Sequence, residues 1–116
     1  MFIETIGSDS SSSIVTSYHN LAERIAVKKL KGIIIVSAHW ETDQISITSS
    51  EFPGLLYDYY GFPPETYEIK YPAPGHQKLS LKIAEKLKEH GFETKLNSSR
   101  KFDHGVFIPL KLLVRY

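Results

Sequence analysis

Five histidines and their acidic neighbours carry the chemistry open to this chain of 116 residues, because it contains no cysteine. Thiolate zinc sites, disulfides and cysteine nucleophiles are excluded on that ground. A metal ion would have to be held by His, Asp and Glu. The segment Ser37-Ala38-His39-Trp40-Glu41-Thr42 draws attention first. His39 and Glu41 are two apart, so on an extended segment they share a face. A ring nitrogen there can bind a metal or move a proton near neutral pH. The structural alternative for His39 is a polar cap on the core beside Trp40. His39-Trp40-Glu41 also has the His-x-Glu form of zinc deaminases, but those enzymes need a downstream cysteine pair that this chain lacks. His104 is the second candidate, in Phe102-Asp103-His104-Gly105. Asp103 could orient a histidine if the fold brings the groups together, and Gly105 lets backbone or ligand come close. The alternative is a turn in which Asp103 caps the following helix. His19 lies near a helix start, His76 follows a turn, and His90 falls at a helix C-terminus, where a cation suits the dipole. Solvated roles are expected for all three.

The elements that must position these groups are legible in the apolar pattern. Gly32-Ile33-Ile34-Ile35-Val36 is β-branched after its glycine. It reads as a strand over 33–38, buried on both faces, with His39 at its carboxyl end. Open α/β sheets bind ligands in the crevice outside such ends. Ahead of it, Leu21, Ala22, Ile25, Ala26 and Leu30 recur at helical spacing from about Ser17. Asn20 and Glu23 resemble a capping box there, and Gly32 fits a helix stop. Gln44 to Ser49 alternates as a half-buried strand with Ile45 and Ile47 on one face.

From Phe52 to Gly75 five prolines and six aromatic residues beyond Phe52 form a long ordered loop, the kind often functional in compact domains. Its tyrosines are expected mostly to pack, with one or two lining a pocket for a planar substrate. Leu79, Ile83, Ala84 and Leu87 share one side of a helix from about Lys78 to His90, which Gly91 ends. Phe92 to Leu96 alternates as a strand, and Val106 to Val114 reads as a buried helix. The order predicts an α/β fold, with helices packed on a mostly parallel or mixed sheet.

Composition narrows the function classes. Fourteen basic and 13 acidic residues leave a net charge of +1, and 41% of the chain is hydrophobic. That suits one small domain with a packed core and offers no nucleic-acid or membrane surface. No apolar run approaches the ~20 residues of a membrane span. Met1 to Gly7 has no signal-peptide pattern. A soluble, cytoplasmic protein is expected. Residues 1–16, rich in serine, read as a flexible tail, and 17–116 as the structured domain.

Four motifs resemble the class III extradiol ring-cleavage dioxygenases, in particular the 4,5-DOPA dioxygenase subgroup. They are Ser-Ala-His-Trp-Glu-Thr at 37–42, Tyr-Asp-Tyr-Tyr-Gly-Phe-Pro at 57–63, Tyr-Glu-Ile-Lys-Tyr-Pro-Ala-Pro-Gly at 67–75 and Phe-Asp-His-Gly-Val-Phe-Ile-Pro-Leu-Lys at 102–111. They occur in the family's order, and the resemblance covers roughly residues 20 to 113. It implies an α/β enzyme that uses ferrous iron, or zinc in some members, to open a catechol ring with dioxygen. On that resemblance His39 matches a metal-ligand histidine. His104 matches the active-site histidine that contacts substrate or assists proton transfer, and Tyr60 falls in a substrate-binding position.

The departures carry a second expectation. The family has a further metal histidine in a His-Gly segment ahead of the first helix, where this chain has its serine-rich stretch. The family also continues well past the position of Tyr116. The alternative reading is therefore a truncated, inactive fragment acting at most as a metal- or partner-binding module. Such a partial domain would leave faces uncovered, which is compatible with a homo-oligomer.

Overall fold

The computed structural model describes residues 13–26 and 29–114. Its elements are α1 (Ser13–Ala26), β1 (Ile45–Thr48), a 3-10 turn at Pro64–Glu68, α2 (Gln77–Glu89), β2 (Thr94–Asn97) and α3 (His104–Leu113). The class is mixed α/β as expected. β1 and β2 pair in parallel, with Ile45 opposite Thr94 and Thr48 opposite Asn97. Helix α2 is the crossover between them and packs on both strands, while α1 lies against α3.

Helix α1 starts earlier than the capping pattern implied, and Asn20 and Glu23 fall inside it. Val15, Tyr18, Ala22 and Ile25 continue the helical apolar spacing upstream, and Val15 is buried. Burying that face outweighs the weak helix preference of the serines around it. The helix is already over at Lys29, before Gly32. Of the expected tail, residues 1–12 lie outside the described residues, and 13–16 are helical.

The run at 33–36 departs most from expectation. It forms no strand, and Ile33, Ile34, Ile35 and Val36 are 44, 66, 36 and 95% exposed. A strand buried on both faces needs hydrogen-bonded neighbours and a cover on each side. Among the described residues β1 and β2 pair only with each other, in a sheet of two strands. Apolar character marks the run as something to be covered, but among the described residues nothing supplies the cover.

Helix α2 is held by specific polar contacts. The His76 ring accepts the Leu79 N–H through Nδ1 at 3.2 Å and so caps the first turn. Ser80 is buried and its hydroxyl donates to the Thr48 carbonyl at 2.7 Å, pinning the helix to the end of β1. At the other end Gly91 takes φ +83°, and the Phe92 N–H bonds back to the Leu87 carbonyl.

The core is aromatic and lies under the long loop. Tyr59, Tyr71, Phe107, Ile108 and Leu110 are its buried members, with Tyr57, Phe62 and Tyr67 packed around them. Tyrosine hydroxyls there bond to loop carbonyls: Tyr57 to Ile69 at 2.6 Å and Tyr67 to Tyr59 at 3.2 Å. Each ring buries area while its hydroxyl satisfies an otherwise orphaned backbone acceptor.

Candidate metal and proton-transfer site

Two backbone events bring the candidate residues together. Leu55 and Phe102 form an isolated parallel bridge. The Leu56 N–H bonds to the Phe102 carbonyl at 2.8 Å, and the Phe102 N–H to the Gly54 carbonyl at 2.9 Å. The bridge lays the start of the tyrosine loop beside the approach to α3, so Asp58 arrives at His104. The second event is the turn at Ala38 and His39, which sets the His39 ring against the His104 ring. The two centroids are 4.1 Å apart with planes tilted by 43°.

Asp58 Oδ1 accepts twice from His104, from its backbone N–H at 3.0 Å and from ring Nδ1 at 2.8 Å. A ring that donates through Nδ1 leaves Nε2 as its free nitrogen. Burial pushes the Asp58 carboxyl up, but the two His104 hydrogen bonds and the charge of the ring outweigh it. They hold the carboxyl below its ordinary value. His39, Asp58 and His104 each offer a ligand atom, and these atoms lie within 4.8 Å of one another. Two imidazoles and one carboxylate are the donor set of the facial triad that holds ferrous iron with open positions. Among the described residues they form the group that could hold a metal ion.

Sequence reasoning singled out His39 and His104, and the fold brings them into contact. It missed Asp58. The available signal was that Asp58 is the one aspartate between Phe52 and Gly75, set among tyrosines. Tyr60 is 91% exposed, whereas the ring standing edge-on to His104, at 5.7 Å, belongs to Tyr59. Burial raises the Tyr59 hydroxyl above its usual pKa, and the charges of Tyr57, Tyr67 and Asp58 add to this. Its hydrogen bond to Thr66 opposes the rise. Glu41 is exposed and stands outside the His39–Asp58–His104 group. Asp103 occupies the N-cap position of α3 but makes no side-chain cap bond. Its carboxylate is engaged elsewhere, with Ser37 and Arg100. His76 and His90 serve helix ends, since Nδ1 of His90 lies 2.8 Å from the Lys86 carbonyl.

With that geometry in view, comparison with known proteins is decisive on family. Residues 3–116 match the model for the catalytic LigB subunit of aromatic ring-opening dioxygenase. The chain belongs to this family. All four motifs at 37–42, 57–63, 67–75 and 102–111 lie inside the matched stretch. Among curated relatives, a 4,5-DOPA dioxygenase extradiol of Beta vulgaris is 42% identical over 93 residues, covering 78% of this chain and 34% of that protein. The dioxygenase tasH of Hapsidospora irregularis is 38% identical over 104 residues, 82% of this chain and 32% of its own length. A 4,5-DOPA dioxygenase extradiol-like protein of Schizosaccharomyces pombe is 40% identical over 87 residues, covering 72% of this chain and 29% of that protein. The chain thus spans about a third of the length of these relatives. Among the described residues no helix is long and apolar enough to cross a membrane.

Proposed function

We propose that this chain contributes metal-binding and proton-handling residues to an extradiol dioxygenase that opens the ring of a catechol such as DOPA with dioxygen. The observation that carries the reading is the meeting of His39, Asp58 and His104, from three separate motifs, within ligand distance. His39 is the metal ligand, and a divalent ion, ferrous iron or zinc, suits the donors beside it. When bound, such an ion supplies the Lewis acidity that acidifies a catechol hydroxyl and, as ferrous iron, a path for electrons to dioxygen.

The remaining work falls to the chain's own side chains. Asp58 holds the His104 ring by Nδ1, which leaves Nε2 as the nitrogen free to exchange a proton. His104 contacts substrate and takes or returns a hydroxyl proton at Nε2, with Asp58 stabilising the ring when it is charged. The Tyr59 ring packs against that ring with centroids 5.7 Å apart. Tyr60, exposed on the same loop, contributes to binding the planar substrate. The reaction inserts both oxygen atoms of dioxygen and breaks the ring bond beside the two hydroxyls.

A second reading makes Asp58 and His104 metal ligands beside His39, favoured by the spacing of the three ligand atoms. Zinc titration of the purified chain followed by calorimetry separates them. Under the first reading His39→Ala weakens zinc binding far more than His104→Ala does. Equal losses in both variants favour the second, and no zinc bound by the parent chain ends both. Supplying DOPA, ferrous iron and air tests turnover. A ring-opened yellow product, abolished by His39→Ala, makes these 116 residues active by themselves. Bound ion without product limits them to a metal-binding portion of the site.

A further inference from the structure

Behind His39 lies a polar assembly that the metal reading does not use. Asp103 is 1% exposed, and a carboxylate so deeply buried must be paired. Each of its oxygens has a partner. The Ser37 hydroxyl donates to Oδ1 at 2.8 Å, and Arg100 Nη2 donates to Oδ2 at 2.8 Å. Both partners also reach the backbone of His39. The His39 N–H donates to the Ser37 hydroxyl at 3.2 Å, and Arg100 Nη2 lies 3.4 Å from the His39 carbonyl. The guanidinium sits 5.1 Å from the centroid of the Trp40 ring, within cation–π range. Among the described residues its buried Nε has no partner, so Nη2 and the Trp40 face fix the group.

We propose that Asp103, acting through Ser37 and Arg100, is a positioning residue that clamps both peptide groups flanking His39 and so sets its imidazole against His104. The clamp joins the His39 turn to the start of α3, although 64 residues separate His39 from Asp103 in sequence. Gly105 completes it by leaving room. A Cβ there would come within 2.7 Å of His39 Cδ2, 3.0 Å of Ser37 Oγ and 3.1 Å of Asp103 Oδ1. The residue types follow from the task. A serine hydroxyl can accept from one group while donating to another. An arginine can meet a carboxylate and stack on an indole at once, which a lysine cannot reproduce. Asp103 is thereby diverted from capping its own helix, the role its sequence position suggests.

The inference rests on the metal reading only for its effect on ion affinity, so the test reads placement and affinity separately. In the metal-free chain, a nuclear Overhauser cross-peak between the His39 and His104 ring protons reports placement directly. Ser37→Ala and Arg100→Ala are expected to weaken that cross-peak at least threefold. Ser37→Thr, which keeps the hydroxyl, is expected to restore it at an unchanged melting temperature. Zinc binding follows the same order, with about a tenfold loss in Ser37→Ala and recovery in Ser37→Thr. A full-strength cross-peak in both alanine variants overturns the clamp, as does a threonine variant that fails to recover it. If the parent chain binds no zinc, the metal reading falls while the cross-peak still decides the clamp.

Discussion

The site owes its shape to single side chains whose partners lie far off in sequence. Asp58 and His104 are 46 residues apart, and their bond exists because a short parallel bridge precedes both. Tyr59 shows how local crowding alters titration. Its hydroxyl donates to the Thr66 carbonyl, and burial raises its pKa. The raised native value keeps Tyr59 neutral where the unfolded chain's tyrosine begins to ionise. Its stabilising contribution is therefore complete below the ordinary value of about 10 and is lost as pH climbs through the native value. Urea unfolding of the parent chain is expected to show stability falling above about pH 10, and Tyr59→Phe to show a shallower fall. The same variant should cost about 1 kcal/mol at neutral pH through the lost hydrogen bond. Asp58, lowered in the native chain, acts in the opposite direction. Its contribution is complete above the ordinary carboxylate value of about 4 and disappears as acid carries the pH down through the native value. Asp58→Asn should flatten the acid limb of that profile.

Among the elements, α2 was the easiest to read, and its boundaries differ from expectation by a residue or so. Its apolar side is continuous, and Gly91 gives a clear stop. The sequence does not advertise its cap, because histidine is not a preferred N-cap residue and acts here through Nδ1. Replacing His76 by Ala should destabilise the chain by about 1 kcal/mol, or roughly 4 °C in melting temperature. His76→Asp should match or exceed the parent, since a carboxylate caps well and complements the helix dipole. Thermal unfolding followed by circular dichroism checks both. The loop end at Gly75 obeys a stricter rule. Its N–H bonds to the Glu51 carbonyl, and a Cβ there would lie 1.9 Å from the Ser50 carbonyl oxygen. Two backbones meet at that point with no space for a side chain, a reason invisible in the Pro-Gly pattern alone.

At the scale of the whole molecule, burial is uneven. Helix α3 and the tyrosine loop close over a dense aromatic centre, where Phe107 is fully buried. The stretch 33–36, by contrast, leaves four β-branched side chains open to water. Exposed apolar runs of that length promote association. Ile34→Lys combined with Val36→Lys should reduce concentration-dependent light scattering and leave the melting temperature unchanged, since neither side chain is in the core. A drop in melting temperature would instead reveal that the run is packed in solution.

Composition and local pattern were enough to determine the α/β class, the two helices α2 and α3 and both short strands, and to single out His39 and His104, whose rings the fold brings together. Those features depend on residues close in sequence, where spacing and glycine placement act directly. Tertiary structure alone decided that Asp58 backs His104, that Asp103 serves the His39 turn, and that 33–36 is left uncovered by the described residues. Each of these depends on which distant segment lies alongside. A carboxylate's role is set by the donor it meets, and a β-branched run becomes a strand only where another strand is there to receive its backbone hydrogen bonds.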